Sequence, residues 1–309
     1  MDFDLTEEQS ILRDSLDRLL AERYGFEERR RILASPEGWS AEMWNRYAEM
    51  GLMALPFAEA DGGLGGSAVE TMIVMEEMGR ALVLEPYFST VVLGGSVLRF
   101  AGNEDQRAEW IPQVAEGTLK LALGHTERNS RYELSSVETV AKKDGEGWVL
   151  NGAKSVVLHG DSADHVFVTA RTAGGARDEV GIGIFMVDAG ADGFSRRGYT
   201  LQDGQRGGDL KFENVRGGPE LVFGAAENGW RVRYTHQTPV NNHCPAVDVL
   251  FESVAQAART AGVGLLLTGM IIEAAGSGNA IEGYGKAGVV GLDGEVEHGE
   301  ASSFALMDF

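Results

Sequence analysis

Near residue 120 the apolar residues of this chain stop recurring every three or four positions and begin to alternate. A period of 3.6 buries one stripe of a helix, and a period of 2 buries one face of a strand. A chain that holds the two patterns in separate blocks must therefore pack a helical layer against a sheet. Before the change, Ile11, Leu12, Leu16, Leu19 and Leu20 form one apolar stripe, opened by Thr6 and Gln9 in the spacing of a capping box. Further helices are expected in "SAEMWNRYAEMGLMAL" (40–55), which stops before Pro56, and in "AVETMIVMEEMGRALV" (68–83). Another is expected in "NEDQRAEWIPQVAEG" (103–117), interrupted by Pro112. Met72, Met75 and Met78 fall at helical spacing, where methionine is core far more often than cofactor lining. The glycine-rich "LPFAEADGGLGGS" between helices demands unusual backbone angles and reads as a turn.

After the change, "SVETVAKKDGEGWVLNGAKSVVLHG" carries two turn signals, Asp144-Gly145 and Asn151-Gly152, each between runs of strand formers. Such dipeptides suit the positive φ angles of a tight hairpin, so both read as hairpin turns. "HVFVTART", "GIGIFMVDA" and "GDLKFENV" follow as strands. Regularly spaced strands without intervening helices point to an antiparallel sandwich or barrel. The expected fold class is α+β: an N-terminal α-helical domain over residues 1–118, then an antiparallel β-barrel-like domain over 119–229. Residues 230–309 form an atypical segment.

Charge and composition exclude some functions. A formal net charge of −20 disfavours a nucleic-acid or anionic-membrane binder, because phosphate contacts need an excess of Lys and Arg. No apolar run reaches the length of a membrane span, and the acidic start "MDFDLTEEQ" lacks the apolar core of a secretory signal. The single cysteine, Cys244, allows no internal disulfide, so a cytoplasmic location is expected. His243-Cys244 has no second ligand pair at metal-binding spacing and reads as a loop. No Gly-x-Gly-x-x-Gly follows a strand and no Walker loop occurs, so neither phosphate cradle is indicated.

Five phrases in register resemble the acyl-CoA dehydrogenase family. They are "DLTEEQSILRDSLDRLL", "LPFAEADGGLGG", "LALGHTE", "WVLNGAK" and "DLKFENVRGGPELVFGAAENG", spread over residues 1–229. The stretches "RLLAERYGFEERRRI" and "GRALVLEPYFSTVVLGG" look more specifically like the small subunit of pimeloyl-CoA dehydrogenases. The resemblance implies FAD lying between the β domain and a C-terminal helical bundle. It also implies removal of two hydrogens across the α,β carbons of an acyl thioester: a carboxylate takes the α-proton while hydride leaves to the flavin. Electron-transferring flavoprotein is the acceptor usual in the family.

Carried over residue by residue, the resemblance places Thr126 of the Thr126-Glu127 pair at the flavin edge, with His125 beside it. The Asn151-Gly152-Ala153-Lys154 phrase matches the family's Asn-Gly-x-Lys. The positions that follow usually supply Trp and Thr to the flavin; here they are Val156 and Leu158, which offer only backbone or van der Waals contact. Arg128 and Arg131 stand where the family has Pro and a Gly-Ser-Asp segment; they are candidates for an anionic cofactor or a dicarboxylate tail, or else are simply solvated. His159, at a strand end, reads as exposed rather than as a catalytic base.

The resemblance ends near Trp230. A four-helix bundle needs roughly 100 residues or more. The segment 230–309 instead offers one apolar stretch, "FESVAQAARTAGVGLLLTGMIIEAAG", followed by polar glycine-rich sequence. It contains no Arg-x-x-Phe-Gly and no base motif of the family; Glu282-Gly283 has the wrong neighbours. The catalytic base is thus unassigned, and the segment reads as a shifted frame, a truncation or a replaced domain. Three functions stay open: a flavin-dependent dehydrogenase of medium-chain or dicarboxylyl-CoA such as pimeloyl-CoA, alone or as a homo-oligomer; a non-catalytic small subunit of a hetero-oligomer; and an inactive fragment.

Overall fold

The computed structural model describes residues 5–224 except 131, 132, 134 and 179. The expectations for Arg131, His243-Cys244, Glu282-Gly283 and the segment from 230 onward lie outside the described residues.

Among the described residues six α-helices come first: α1 Glu7–Arg23, α2 Phe26–Leu33, α3 Ala41–Glu49, α4 Ala68–Arg80, α5 Gly95–Ala101 and α6 Glu104–Ala115. Three begin with a full capping box. Thr6 and Gln9 exchange hydrogen bonds at the start of α1, Ser67 and Glu70 at α4, and Asn103 and Gln106 at α6. The second expected helix is shorter than "SAEMWNRYAEMGLMAL" suggested. It stops at Glu49 because Gly51 takes a φ of +74°, a left-handed turn that glycine enters without steric penalty. Pro112 does not interrupt α6, since its fixed φ is already helical and only the Ala108 carbonyl loses its usual donor. A π-helical turn, Phe88–Gly94, leads into α5.

Eight strands follow: β1 Leu121–Gly124, β2 Val140–Asp144, β3 Gly147–Leu158, β4 His165–Arg171, β5 Ile182–Asp188, β6 Phe194–Thr200, β7 Arg206–Gly217 and β8 Val222–Phe223. They form one sheet in the order β6-β7-β3-β2-β4-β5-β8, with β1 added beside β4. Most pairs are antiparallel, but β1 runs parallel to β4 over four residue pairs, and β2 meets β4 parallel at Val140 and Arg171. The path ends at β6 and β8, which do not pair with each other among the described residues.

The Asp144-Gly145 hairpin forms as expected, with Asp144 opposite Gly147. Asn151-Gly152 is not a hairpin turn, which corrects the reading of that dipeptide. It lies inside the 12-residue strand β3, where the register with β7 slips between Leu150 and Gly152. A Cβ at Gly152 would come within 2.5 Å of Thr139 Oγ1, so glycine is required by close approach rather than by a turn.

The two layers share a core through β4 and β5. Phe167, Ile184 and Met186 join the helical cluster built on Leu16, Trp44, Tyr47, Phe57, Val74 and Leu98. Their alternating neighbours Val166, Val168, Phe185 and Val187 pack on the opposite face with Trp148, Leu210 and Phe212. Both faces of these strands are buried, which explains why β4 and β5 read as continuous apolar runs. Polar ties fix the docking. Thr90 Oγ1 donates to the Leu121 carbonyl (3.2 Å) and accepts from the Leu121 N–H (3.1 Å). Gln106 donates to the carbonyls of Glu220 and Val222, both at 2.8 Å.

Candidate functional site

The Thr-Glu and Asn-Gly-x-Lys phrases meet in space. β1 ends at Gly124, and the chain continues through His125, Thr126 and Glu127 beside the middle of β3. Lys154, on the inward face of β3, is fully buried, and its Nζ lies 2.6 Å from Glu127 Oε1. The same ammonium donates to the His125 carbonyl and to Thr169 Oγ1, each at 3.2 Å. Glu127 also accepts the backbone N–H groups of Glu138 (2.7 Å) and Thr139 (3.0 Å). A buried charge is tolerated only when paired and hydrogen-bonded, and both partners here are. Burial pushes the Glu127 carboxyl up, but the Lys154 ammonium and the Thr139 hydrogen bonds outweigh it and hold the pKa below the usual range.

His125 turns under this clasp rather than outward. Its Nδ1 is 3.0 Å from Thr169 Oγ1, and burial, reinforced by the Lys154 charge, pushes its pKa down to about 3, so the ring is neutral. Thr126 is exposed, and its carbonyl accepts the Ser155 N–H at 2.8 Å. That bond sets Thr126 beside Ser155 and Val156 on one rim of an open groove of about 800 Å³. Val156 is half exposed and holds a φ of +54°, at the second register shift of β3, between Lys154 and Val157. A β-branched residue rarely adopts that angle.

The far side of the groove is charged. Asp209 accepts from Tyr199 Oη at 3.0 Å and from the Val156 N–H at 3.4 Å, and pairs with Arg197 at 3.1 Å and Arg128 at 3.9 Å. Burial pushes the Asp209 carboxyl up, but the bonds from Tyr199, Val156 and Arg197 leave its pKa lowered. The two carboxylates of the groove, Glu127 and Asp209, are therefore both stabilised as anions. Neither has the raised pKa that suits a general base working near neutrality. Arg128 and Arg197 expose most of their side chains and can meet an anion.

Leu158 lines a different space, a cavity of about 130 Å³ between α4, the π-helical turn and the end of β3. His159 lines it too and is buried, 2% exposed, so its expected exposure is corrected. A left-handed φ of +51° and a bond from its N–H to the Arg206 carbonyl (2.8 Å) swing the residue inward. Ser162 Oγ donates to the His159 carbonyl (3.3 Å) and so accepts from Nδ1 (3.2 Å). Burial, with the Arg206 charge second, pushes the ring pKa down to about 4, and Nε2 is buried with no hydrogen-bond partner among the described residues. Glu85 faces the same cavity, 4% exposed. It accepts from the Ser40 N–H (2.9 Å), Tyr24 Oη (3.3 Å) and Tyr47 Oη (3.5 Å), and burial pushes its pKa up to about 7. No motif marked Glu85; the available signal was a lone acid inside the apolar run "ALVLEPYFSTVVLGG".

Comparison with known proteins bears on this arrangement. Residues 6–118 match the family described as acyl-CoA dehydrogenase, N-terminal domain, and residues 122–215 match acyl-CoA dehydrogenase, middle domain. These two stretches are acyl-CoA dehydrogenase domains. The mitochondrial long-chain specific acyl-CoA dehydrogenase of Sus scrofa is 33% identical over 197 residues, covering 62% of this chain and 46% of that protein. Among solved structures, the Tcur3481-Tcur3483 steroid ACAD superposes with a TM-score of 0.69 at 25% identity, covering 85% of this chain and 65% of that one. The ChsE4-ChsE5 complex from Mycobacterium tuberculosis does so with a TM-score of 0.66 at 27% identity, covering 74% and 60%. The chain spans about half the length of the first curated relatives it matches, 46% to 53%. Residues 249–307, outside the described part, match a different family, described as amino acid synthesis. No helix among the described residues is long and apolar enough to cross a membrane.

Proposed function

We propose that this acyl-CoA dehydrogenase N-terminal and middle domain pair forms the flavin-facing wall of a site for α,β-dehydrogenation of an acyl-CoA thioester. The observation that carries the proposal is the Lys154–Glu127 clasp, which presents Thr126, Ser155 and Val156 along one rim of the groove. The groove's size and its flat backbone rim suit a tricyclic ring, and Arg128 and Arg197 suit its phosphates. Thr126 would hold the ring edge, and Val156 would supply van der Waals contact in place of an aromatic stack. FAD, when bound there, supplies the hydride acceptor. His125 serves behind the clasp, through Thr169, rather than at the ring. The acyl group of medium length, and the pimeloyl-like end in particular, rest on sequence resemblance alone, as do a cytoplasmic location and electron-transferring flavoprotein as acceptor.

A second reading is favoured by the two groove carboxylates. Glu127 is taken up by Lys154 and the Glu138 and Thr139 N–H groups, and Asp209 by Arg197 and Tyr199, so a base supplied by a partner subunit of a hetero-oligomer would take the α-proton. The match of residues 249–307 to another family supports a replaced C-terminal segment. The deciding measurement is visible absorbance of the purified chain titrated with FAD, alone and after co-expression with a full-length acyl-CoA dehydrogenase subunit. Flavin retained by the chain alone supports a self-sufficient site, and flavin retained only with the second subunit supports the hetero-oligomer. Retention in neither preparation refutes both.

A further inference from the structure

Asp209 faces a break in the sheet. Lys154 pairs with Leu210 and Val157 with Gly208, so two residues of β3, Ser155 and Val156, stand opposite the single residue Asp209 of β7. A β-bulge of this kind leaves its extra residue unpaired in the ladder and re-aims it, and such bulges are common beside active sites. Here both N–H groups of the bulge find partners outside the ladder. Ser155 donates to the Thr126 carbonyl at 2.8 Å, and Val156 donates to Asp209 Oδ1 at 3.4 Å. The Asp209 carboxylate thus takes the place of a strand carbonyl.

Val156 needs that hold. At a φ of +54° its branched Cβ is crowded, and without a restraint the residue relaxes toward the extended region. It is half exposed on the groove rim, so packing restrains it little. Asp209 is itself fixed. Tyr199 Oη donates to the same Oδ1 at 3.0 Å, and Arg197, directly opposite on β6, pairs with Oδ2 at 3.1 Å.

We infer that Asp209 is a positioning residue for the groove: its carboxylate holds Val156 left-handed and so keeps the Thr126–Ser155–Val156 rim in the shape that receives a flat ring. The inference rests on the dehydrogenase reading for the ring, whereas the hold on Val156 belongs to the chain alone. A role in charge alone predicts the opposite effect on FAD. Arg128 and Arg197 both pair with Asp209, so its negative charge weakens the pull of the groove on phosphates. Removing that charge would then tighten FAD. If Asp209 positions the rim, its removal weakens FAD even though two arginines are freed.

The test begins without flavin. In the full chain labelled with nitrogen-15 at valine, the coupling between the Val156 amide and α hydrogens reports its φ. Asp209→Ala should shift that coupling toward the value of an extended strand. FAD is then titrated, followed by absorbance, into the preparation that retains it, whether the chain alone or the chain with a second subunit. Asp209→Ala should weaken FAD roughly tenfold. Glycine enters the left-handed region unaided, so in a Val156→Gly background the same change should alter FAD affinity by no more than about twofold. A general defect in β7 would not be repaired by a glycine on β3. An unchanged Val156 coupling overturns the inference, as does FAD binding that stays the same or tightens, or an equal loss in the glycine background. Retention of FAD in neither preparation overturns the proposed function, while the coupling, read without flavin, still decides whether Asp209 holds Val156.

Discussion

Lys154 Nζ and Glu127 Oε1 lie 2.6 Å apart with both side chains buried, and this ion pair holds the end of β1 against the middle of β3. Removing one partner strands the other charge in the interior, which typically costs about 3–5 kcal/mol. Lys154→Met and Glu127→Gln should each lower the urea midpoint by that order. The double variant should lose clearly less than the two single losses added together, because it strands no charge. Full additivity would show that the pair is not coupled.

Val156 carries a strain that glycine would remove. A left-handed conformation costs a residue with a Cβ roughly 1–2 kcal/mol, and glycine's extra freedom in the unfolded chain returns about 0.5–1 of that. Val156→Gly should therefore raise stability by about 0.5 kcal/mol, while Val156→Ala, which keeps the Cβ, should raise it by less. Paired thermal melts would show the order.

The buried titratable groups give stability a defined pH dependence. The folded pKa of Glu85 is raised from 4.5 to about 7, so its contribution is fully present below 4.5 and is lost as pH rises through 7. That rise corresponds to about 3 kcal/mol at 1.36 kcal/mol per tenfold. His159 and His125 are lowered from 6.5 to about 4 and about 3, so their contributions are present above 6.5 and lost as pH falls toward those values. Chemical denaturation across pH 4 to 9 should show a stability maximum in the mildly acidic range. Glu85→Gln should remove the decline near pH 7 and steepen the rise between pH 4.5 and 6.5, where Glu85 opposes the two histidines.

Arg171 pins two loops at once. Its guanidinium donates to the carbonyls of Ser135, Ala176, Asp178 and Val180 at 2.6 to 3.1 Å. Arg171→Met removes those donors while keeping most of the apolar stem, and should cost about 3 kcal/mol. Limited proteolysis should then cut within 173–181 well before the helical layer. Cleavage that begins in α1–α6 would show that Arg171 holds something other than these loops.

The sequence carried the layer order because it rests on periodicity, a local property. The stripe of Leu16 and Leu20 and the capping boxes at Thr6, Ser67 and Asn103 are each contained within a few residues. The Asp144-Gly145 turn is equally local and formed as read. Asn151-Gly152 carries the same signal and did not turn. Thr139, just before the hairpin partner strand β2, approaches Gly152 too closely for a Cβ, and the slip against β7 absorbs the irregularity inside the strand. The parallel pairing of β1 with β4 was illegible for a similar reason, since nothing in "LALG" names a partner some forty residues on.

At the site, the family phrases marked Thr126 and Lys154, but not that Lys154 binds Glu127 beneath the groove, nor that His125 faces Thr169. Glu85 lies inside the stretch "GRALVLEPYFSTVVLGG" but was not singled out there, and His159 was read as exposed. Their meeting around one cavity follows from the helical layer docking on the end of β3, and burial by that docking is what shifts both groups. By itself the sequence determined where helices give way to strands and which family the first two domains belong to, because neighbouring residues encode both. Only the tertiary structure decided which charges are buried, which acceptors lack donors and which residues share a cavity, because those are properties of contacts between segments far apart in the chain.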